Sequence, residues 1–159
     1  MKKNFSLNNF YLSIAALSIL ILLSAIYIEY VLGVRPCALC QYQRAPYIIA
    51  ILLSFFGYYN LDNKFWIYLL IITFLASSIL SGYHVGIENN VFEEFSGCTS
   101  NNTNIVDKDE LIESLKEIKP NCKDVTFKLL GFSLATINLF LSILIVILSS
   151  KFIKNEKNR

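Results

Sequence analysis

Four cysteines are the residues whose type and spacing most suggest chemistry. Cys37 and Cys40 form a Cys-x-x-Cys pair directly after Pro36, and we predict that they lie at the start of a helix. The positive end of a helix dipole stabilises a thiolate, and pairs with this spacing tend to hold one cysteine of lowered pKa. Because the thiolate is the nucleophile of thiol–disulfide exchange, the pair is predicted to be redox-active.

Arg44 is the charged residue best placed to act on this pair. It follows Cys40 by four residues, so both side chains share one face if the segment is helical. Its positive charge would favour a thiolate or a reduced, negatively charged electron acceptor. The alternative is that Arg44 anchors the next membrane span at the membrane surface.

A Cys-x-x-Cys pair can also be half of a zinc site. Such a site needs a second close pair of cysteines or histidines. The intervals that follow Cys40 are long, and His84 is the only histidine in the sequence. We therefore predict no metal site. By itself, His84 is more typical of a hydrogen-bonding residue at the membrane surface than of a catalyst.

Cys98 and Cys122 form the second possible pair, and a polar segment with one helical pattern lies between them. Asp107 and Glu110 are spaced as a capping box. Apolar residues then recur at helical intervals, at Leu111, Ile112, Leu115 and Ile118. We predict a short amphipathic helix that lies flat on the membrane; the alternative is a helix that packs on the rest of its loop. A bond between these cysteines would close a long loop, which suits a switchable disulfide as well as a structural one.

The rest of the chain is dominated by apolar residues, which make up 55% of the sequence against 16% charged. Four windows carry no charged residue, and each is long enough to cross the roughly 30 Å of bilayer hydrocarbon as a helix. We predict spans at about 8–28, 45–61, 65–83 and 129–150, with outer loops at 29–44 and 84–128. The predicted fold is a single all-α domain over residues 1–159, an integral membrane four-helix bundle.

Lysine and arginine are concentrated in the two tails and in the link between the second and third windows. By the positive-inside rule both termini are cytoplasmic, and all four cysteines then lie outside, where they can be oxidised. We interpret the apolar N-terminal run as a retained first span, because it is too long for the core of a signal peptide. A formal charge of +2, with no basic stripe outside the tails, predicts no nucleic-acid partner.

Several groups of residues resemble the DsbB family of disulfide-bond-formation proteins. They are Cys37-Ala-Leu-Cys40 with Gln43-Arg44, Gly82-Tyr-His84 with Glu88, Cys98, Pro120-Asn-Cys122 and Leu130-Gly-Phe-Ser133. The resemblance extends from the first predicted span to the fourth, and four spans with four outer cysteines is also the family's plan. Where the family often carries tryptophan, just before and within its last span, this chain has Phe127 and Ile137.

The resemblance implies a quinone-dependent protein thiol–disulfide oxidoreductase of the bacterial inner membrane. Cys37 and Cys40 would pass electrons to a membrane quinone, ubiquinone or menaquinone. Cys40 would form the thiolate that contacts the quinone. Arg44 would lie beside the quinone ring, and His84 would lie near it.

The resemblance also assigns the second pair of cysteines. Cys98 would exchange disulfides with a periplasmic thioredoxin-fold partner of the DsbA type. Cys122 would be its mate, able to bond transiently to Cys37. Two other function classes stay open. A metal-binding or transport protein with cysteine ligands would need more ligands and charges inside its spans. A non-catalytic membrane protein stapled by disulfides would hold bonds that resist mild reductants.

Overall fold

The computed structural model describes residues 2–60, 64–93, 121–123, 127–129 and 131–157. Five helices and one short antiparallel hairpin lie in these ranges. In chain order they are α1 (Lys2–Tyr30), α2 (Ala38–Tyr42), α3 (Ala45–Tyr59), α4 (Phe65–Glu88), β1 (Lys128–Leu129), β2 (Phe132–Ser133) and α5 (Leu134–Lys157). Cys98 and the predicted amphipathic helix at 107–118 lie outside the described residues.

Three of the described helices are long and apolar enough to cross a membrane, over Leu7–Tyr30, Phe65–Glu88 and Leu134–Lys154. By contrast, α3 has 15 residues, which at 1.5 Å per residue is about 22 Å and shorter than the roughly 30 Å hydrocarbon core. Large apolar side chains on the outer faces of the long helices are exposed, as lipid-facing side chains are; Leu20 and Ile79 are examples. The structure supports a helical membrane protein with three candidate spans, and the second predicted span, 45–61, stays a prediction.

The long helices pack in chain order, α1 on α3, α3 on α4 and α4 on α5. One apolar core joins them, and its buried members are Leu7, Tyr11, Ile14, Tyr47, Ala50, Ile67, Leu70, Phe74 and Ile145. At the end of the molecule where α1 begins and α5 ends, Phe10 stacks on Phe152 with ring centroids 4.7 Å apart. We call this the terminal end, and the opposite end, which carries α2, the cysteine end.

Buried polar side chains also join the helices. The hydroxyls of Ser77 in α4 and Ser142 in α5 lie 2.9 Å apart. One turn nearer the cysteine end, the Asn138 amide donates to Ser81 Oγ at 2.7 Å and accepts a hydrogen bond from the Tyr47 hydroxyl. Small residues let membrane helices approach closely, and paired polar groups hold them together. This ladder fixes α4 and α5 against each other directly below the cysteines.

A short turn between α2 and α3 ties the cysteine pair to the bundle. Pro46 occupies the first turn of α3 and has no amide hydrogen, so the helical hydrogen-bond ladder is interrupted there. The Gln43 N–H still donates to the Leu39 carbonyl at 3.0 Å, and the Arg44 N–H donates to the Gln41 carbonyl at 3.1 Å. The side chains of Gln43 and Arg44 are thereby held beside the cysteines.

The helices that begin near residues 2 and 65 are longer than the predicted spans. α1 extends past 8–28 at both ends, and α4 continues for five residues beyond 83. α4 ends where Asn90 adopts a left-handed φ of 59°. The N–H groups of Asn90 and Val91 then donate to the carbonyls of Ile87 and Gly86 at 3.0 and 2.8 Å. This local ending, rather than the loss of apolar residues, stops the helix, so His84 lies inside α4 and not in an outer loop.

The start of the last helix also differs from the prediction. Residues 128–133 include the β1–β2 hairpin, in which Gly131 has a φ of 87°, a conformation that favours glycine. Ser133 then caps α5, because its Oγ accepts a hydrogen bond from the Thr136 N–H at 3.1 Å. The predicted span 129–150 thus differs from the helix at its start, because α5 begins at Leu134. Apart from this short hairpin the elements are helical, in agreement with the predicted all-α class.

Candidate functional site

Cys37 and Cys40 lie in the first turn of α2. Cys37 is the N-cap residue, and its sulfur accepts a hydrogen bond from the Cys40 N–H at 3.3 Å. Both residues are thiols, and their sulfurs are 2.9 Å apart. The Cys-x-x-Cys spacing thus produces a reduced pair whose oxidation to a disulfide requires little movement.

The two thiols differ in acidity. The Cys37 thiol donates to the Cys40 sulfur, and this hydrogen bond together with burial raises the pKa of Cys37 to about 12. The same hydrogen bond stabilises the Cys40 thiolate and lowers the pKa of Cys40. In the reduced pair, Cys40 is therefore the more acidic sulfur, and Cys37 keeps its proton to a higher pH.

His84 is buried between this pair and a carboxylate. Its Nε2 lies 3.6 Å from Cys37 Sγ and 3.8 Å from Oε1 of Glu88, one helical turn further along α4. The Gln43 side-chain amide lies 3.1 Å from His84 Nδ1. Ser133 Oγ donates to the other carboxylate oxygen of Glu88 at 2.6 Å. Contacts on both edges fix the imidazole where it can exchange a proton with Cys37.

Cys122 also lies beside Cys37 and His84, although it is near the end of the second predicted outer loop. Its sulfur, the Cys37 sulfur and a ring nitrogen of His84 all lie within 4.8 Å of one another. Cys122 is buried, with 2% of its surface exposed. The fold therefore brings one member of the second predicted pair against the first pair. Cys98 lies outside the described residues.

Arg44 is held by a carboxylate. Its Nη1 donates to Oε2 of Glu29, at the end of α1, over 2.6 Å, and both side chains are about a quarter exposed. We expected Arg44 to favour the Cys40 thiolate, but the leading cause of the lowered pKa of Cys40 is the Cys37 thiol. The ion pair connects α1 to the turn before α3 and holds the guanidinium beside the cysteines.

A partly open cavity of about 320 Å³ lies next to these residues. α1 forms one wall and α5 another, mostly through apolar side chains such as Ile28 and Leu141. Phe127 and Ile137, which stand where tryptophan was expected by resemblance, also line it. The cavity is bordered by every described candidate residue, namely Cys37, Cys40, Arg44, His84 and Cys122.

Four further residues complete the site and are not among the predicted site residues: Glu29, Gln43, Glu88 and Ser133. Glu29 is the first acidic residue of the chain and ends a long uncharged run, where a basic partner is expected. Gln43 is adjacent to Arg44 in the Cys-x-x-Cys motif. Glu88 and Ser133 both stand in the groups of residues that resemble the DsbB family, but their contact depends on the unpredicted last turn of α4.

Comparisons with known proteins agree with this geometry. A family model for disulfide bond formation protein DsbB matches residues 7–151, a range that includes all four cysteines. A relative from Rickettsia prowazekii (strain Madrid E), the Uncharacterized protein RP370, is 32% identical over 142 residues, covering 86% of this chain and 81% of the relative. The chain therefore belongs to the DsbB family of disulfide bond formation proteins, and its general role is that of a membrane thiol–disulfide oxidoreductase.

Proposed function

We propose that the chain oxidises the dithiol of a periplasmic thioredoxin-fold protein of the DsbA type and passes the two electrons to a membrane quinone, ubiquinone or menaquinone. The observation that carries the proposal is one cavity in which the Cys37–Cys40 dithiol, the Cys122 sulfur and the apolar walls of α1 and α5 meet. The protein would lie in the bacterial inner membrane, with both termini cytoplasmic and the cysteine end periplasmic.

Electrons would reach the first pair through two disulfide exchanges. A partner thiolate attacks Cys98 of a Cys98–Cys122 disulfide, and the partner's second thiolate resolves the mixed disulfide, so the partner leaves oxidised. Cys122 then attacks Cys37 of an oxidised Cys37–Cys40 pair, and Cys40 leaves as a thiolate. Attack by Cys98 on Cys122 restores the second disulfide and leaves Cys37 and Cys40 as the dithiol.

Two features of the site support this sequence of bonds. The Cys122 sulfur lies within 4.8 Å of the Cys37 sulfur, so the transient bond between them, about 2 Å long, requires the two sulfurs to approach by at most about 3 Å. The pKa of Cys40 is lowered by its hydrogen bond from Cys37, and a thiol of lower pKa leaves faster in exchange. Cys37 is thus the sulfur that is attacked, and Cys40 the sulfur that is released.

Reoxidation of the dithiol needs an acceptor for two electrons and a base for the proton on Cys37. A quinone bound in the cavity supplies the electron acceptor. His84 Nε2, 3.6 Å from Cys37 Sγ, is within reach of this proton and accepts it in the tautomer whose ring proton is on Nδ1. Gln43 holds the opposite edge of the ring, and the Glu88 carboxylate lies 3.8 Å from Nε2.

A quinone suits both the energetics and the cavity. A DsbA-type partner has a reduction potential of about −120 mV. A glutathione pool therefore cannot reoxidise it, and a stronger electron acceptor is required. Quinones are dissolved in the bilayer, where α1 and α5 lie. Apolar walls with a few N–H donors are typical of sites for such ligands, and here Arg44 and His84 carry the donors.

The proposal is tested by quinone reduction in nanodiscs with a reduced thioredoxin-fold partner. Wild-type protein should oxidise one partner dithiol for each quinone reduced. Mixed instead with oxidised partner, Cys122→Ser should accumulate a disulfide between Cys98 and the partner on non-reducing gels, because Cys98 attacks the partner's disulfide and no Cys122 is present to resolve the product. Cys98→Ser should form no such complex, yet its Cys37–Cys40 pair should still be oxidised by quinone. If neither variant traps the partner and both are merely less stable, Cys98 and Cys122 form a structural staple and the proposal is wrong.

A second experiment tests whether Arg44 binds the quinone or only anchors α3 through its ion pair with Glu29. Arg44→Ala should raise the apparent KM for quinone while exchange at Cys98 continues. Glu29→Gln is the matched control, because it removes the same ion pair but keeps the guanidinium. If Arg44→Ala leaves the KM unchanged, or if both variants raise it equally, the guanidinium acts only through the ion pair.

A further inference from the structure

Cys37, His84 and Cys122 form a cluster whose composition is that of a metal site. Their donor atoms lie within 4.8 Å of one another. All three residues are buried, with 2–6% of their surfaces exposed. Two cysteine sulfurs and an imidazole nitrogen are the ligands that zinc and similar cations take in proteins. The sequence argued against such a site because the three residues lie on separate segments, and the fold removes that objection.

The distances also fit a tetrahedral cation. Zinc binds sulfur at about 2.3 Å and imidazole nitrogen at about 2.0–2.1 Å, which separates a sulfur from a nitrogen ligand by about 3.6 Å and two sulfurs by about 3.8 Å. Cys37 Sγ and His84 Nε2 are already 3.6 Å apart. The 4.8 Å limit on the remaining separations means that Cys122 has to move by about 1 Å at most.

We propose that the reduced protein binds one thiophilic divalent cation of the zinc type through Cys37, Cys122 and His84. Binding releases the thiol protons and withdraws both sulfurs from disulfide exchange. Oxidation of Cys37 to a disulfide with Cys40 removes one ligand, so the site exists only in the reduced protein. The cation is an inhibitor that holds the dithiol reduced, and not a cofactor of the reaction.

The surroundings of His84 suit metal ligation. Binding through Nε2 requires the ring proton to be on Nδ1. The Gln43 amide nitrogen lies 3.1 Å from Nδ1, and rotation of the amide by about 180° presents its oxygen to that N–H instead. Glu88, held by Ser133, places a carboxylate 3.8 Å from Nε2 and adds negative charge beside the cation. Ligand orientation of this kind is a general feature of zinc sites.

The test is anaerobic titration of Zn²⁺ into the reduced full-length protein in nanodiscs, against a competing chelator. We expect one ion per chain and no comparable binding after Cys37 and Cys40 have been oxidised. Cys122→Ser and His84→Ala should each weaken binding at least about 100-fold, and Gln43→Ala about 10-fold, since partners of a ligand typically contribute 10–100-fold. Cys98→Ser, the matched control, should leave the affinity within about threefold.

A footprint on the wild-type protein avoids any variant that fails to fold. Zn²⁺ should slow alkylation of Cys37 and Cys122 but not of Cys98, read by mass spectrometry. Equal protection of Cys98, equal weakening by Cys98→Ser and Cys122→Ser, or equal binding to the oxidised protein would each overturn the proposal. The measurement uses neither quinone nor partner, so its outcome is independent of the redox function proposed above.

Discussion

The two ends of the molecule differ in how α1 meets α5. At the terminal end the helices are in contact through Phe10 and Phe152, and the ring of Tyr11 fills the space over Gly57 so closely that a Cβ there would overlap it. At the cysteine end the same helices border a cavity of about 320 Å³. The same two helices therefore pack closely at the terminal end and leave space for a ligand beside the sulfurs at the cysteine end.

The difference also separates two kinds of interaction. The terminal end depends on apolar packing, in which the loss or addition of a methylene group changes the stability of the fold. The cysteine end depends on a polar chain from Gln43 through His84 and Glu88 to Ser133. Substitutions at the two ends should therefore have different signatures, one in stability and the other in chemistry.

The largest effect is expected at Cys40. Cys40→Ser removes the sulfur of lowered pKa, and a hydroxyl cannot replace it in exchange. Quinone reduction should fall at least about a thousandfold, as losses of a catalytic nucleophile do, while the thermal midpoint changes little. A steady-state assay with reduced partner and a melting curve in detergent measure both quantities. Activity within about tenfold of wild type would show that another sulfur is the nucleophile.

A large loss of stability is expected at Gly57, at the terminal end. Gly57→Ala forces a methyl group into the Tyr11 ring, which is buried, and such overpacking costs about 1–3 kcal/mol. Gly82→Ala is the matched control, because its new Cβ would meet Leu139 at 3.9 Å, an ordinary contact. The melting temperature should fall for Gly57→Ala and hold or rise for Gly82→Ala. Equal losses of melting temperature would mean that the effect of Gly57→Ala does not come from overlap with the Tyr11 ring.

A smaller, pH-dependent effect is expected at Cys37. The Cys37 thiol lowers the pKa of Cys40, so Cys37→Ala should raise that pKa towards its ordinary value. The Cys40 thiolate is present above its pKa and is lost as the pH falls through it, so the loss should begin at a higher pH in the variant.

The rate of Cys40 alkylation as a function of pH, followed by mass spectrometry, measures this shift. Cys37→Ser keeps a hydrogen-bond donor and should show a smaller displacement than Cys37→Ala. An unchanged profile in Cys37→Ala would assign the acidity of Cys40 to another group, such as Arg44.

The smallest effect is expected at Ser133, which both caps α5 and bonds to Glu88. Ser133→Ala removes the cap of α5 and the hydrogen bond to Glu88, and cap losses cost about 1 kcal/mol. Ser78→Ala serves as control, because the Ser78 hydroxyl bonds the Phe74 carbonyl within α4. Ser133→Ala should lower the melting temperature slightly and also reduce quinone turnover, whereas Ser78→Ala should leave turnover unchanged. If both variants lost quinone turnover, the loss in Ser133→Ala could not be assigned to the position of Glu88.

The long helices were predictable because a bilayer requires uncharged windows of a certain length, and such windows are visible in the sequence. Their ends were not, because they depend on single residues. Asn90 ends α4 through its left-handed backbone, and Ser133 begins α5 through a side-chain cap. Neither feature follows from hydropathy. The shifts move His84 from the predicted loop into α4, and Leu129 and Ser133 from the predicted helix into the hairpin.

The site divides in the same way. Cys37 and Cys40 were predicted to act together because their spacing is local, and α2 brings their sulfurs together. His84 and Cys122 join them through the packing of distant segments, which one sequence does not reveal. The partner of Arg44 was missed for the same reason, since Glu29 lies on α1. The individual roles of these residues stay predictions for the experiments above.

The most direct test of quinone-linked oxidation is a single anaerobic turnover with one equivalent of ubiquinone and no partner. It uses the fully reduced Cys98→Ser/Cys122→Ser protein in nanodiscs, in which a new disulfide cannot pass to the second pair. We predict one quinol per chain, a new disulfide mapped by mass spectrometry between Cys37 and Cys40, and loss of both products when Cys40→Ser is added. Quinone left unreduced, or quinol formed while Cys37 and Cys40 remain thiols, would contradict this prediction.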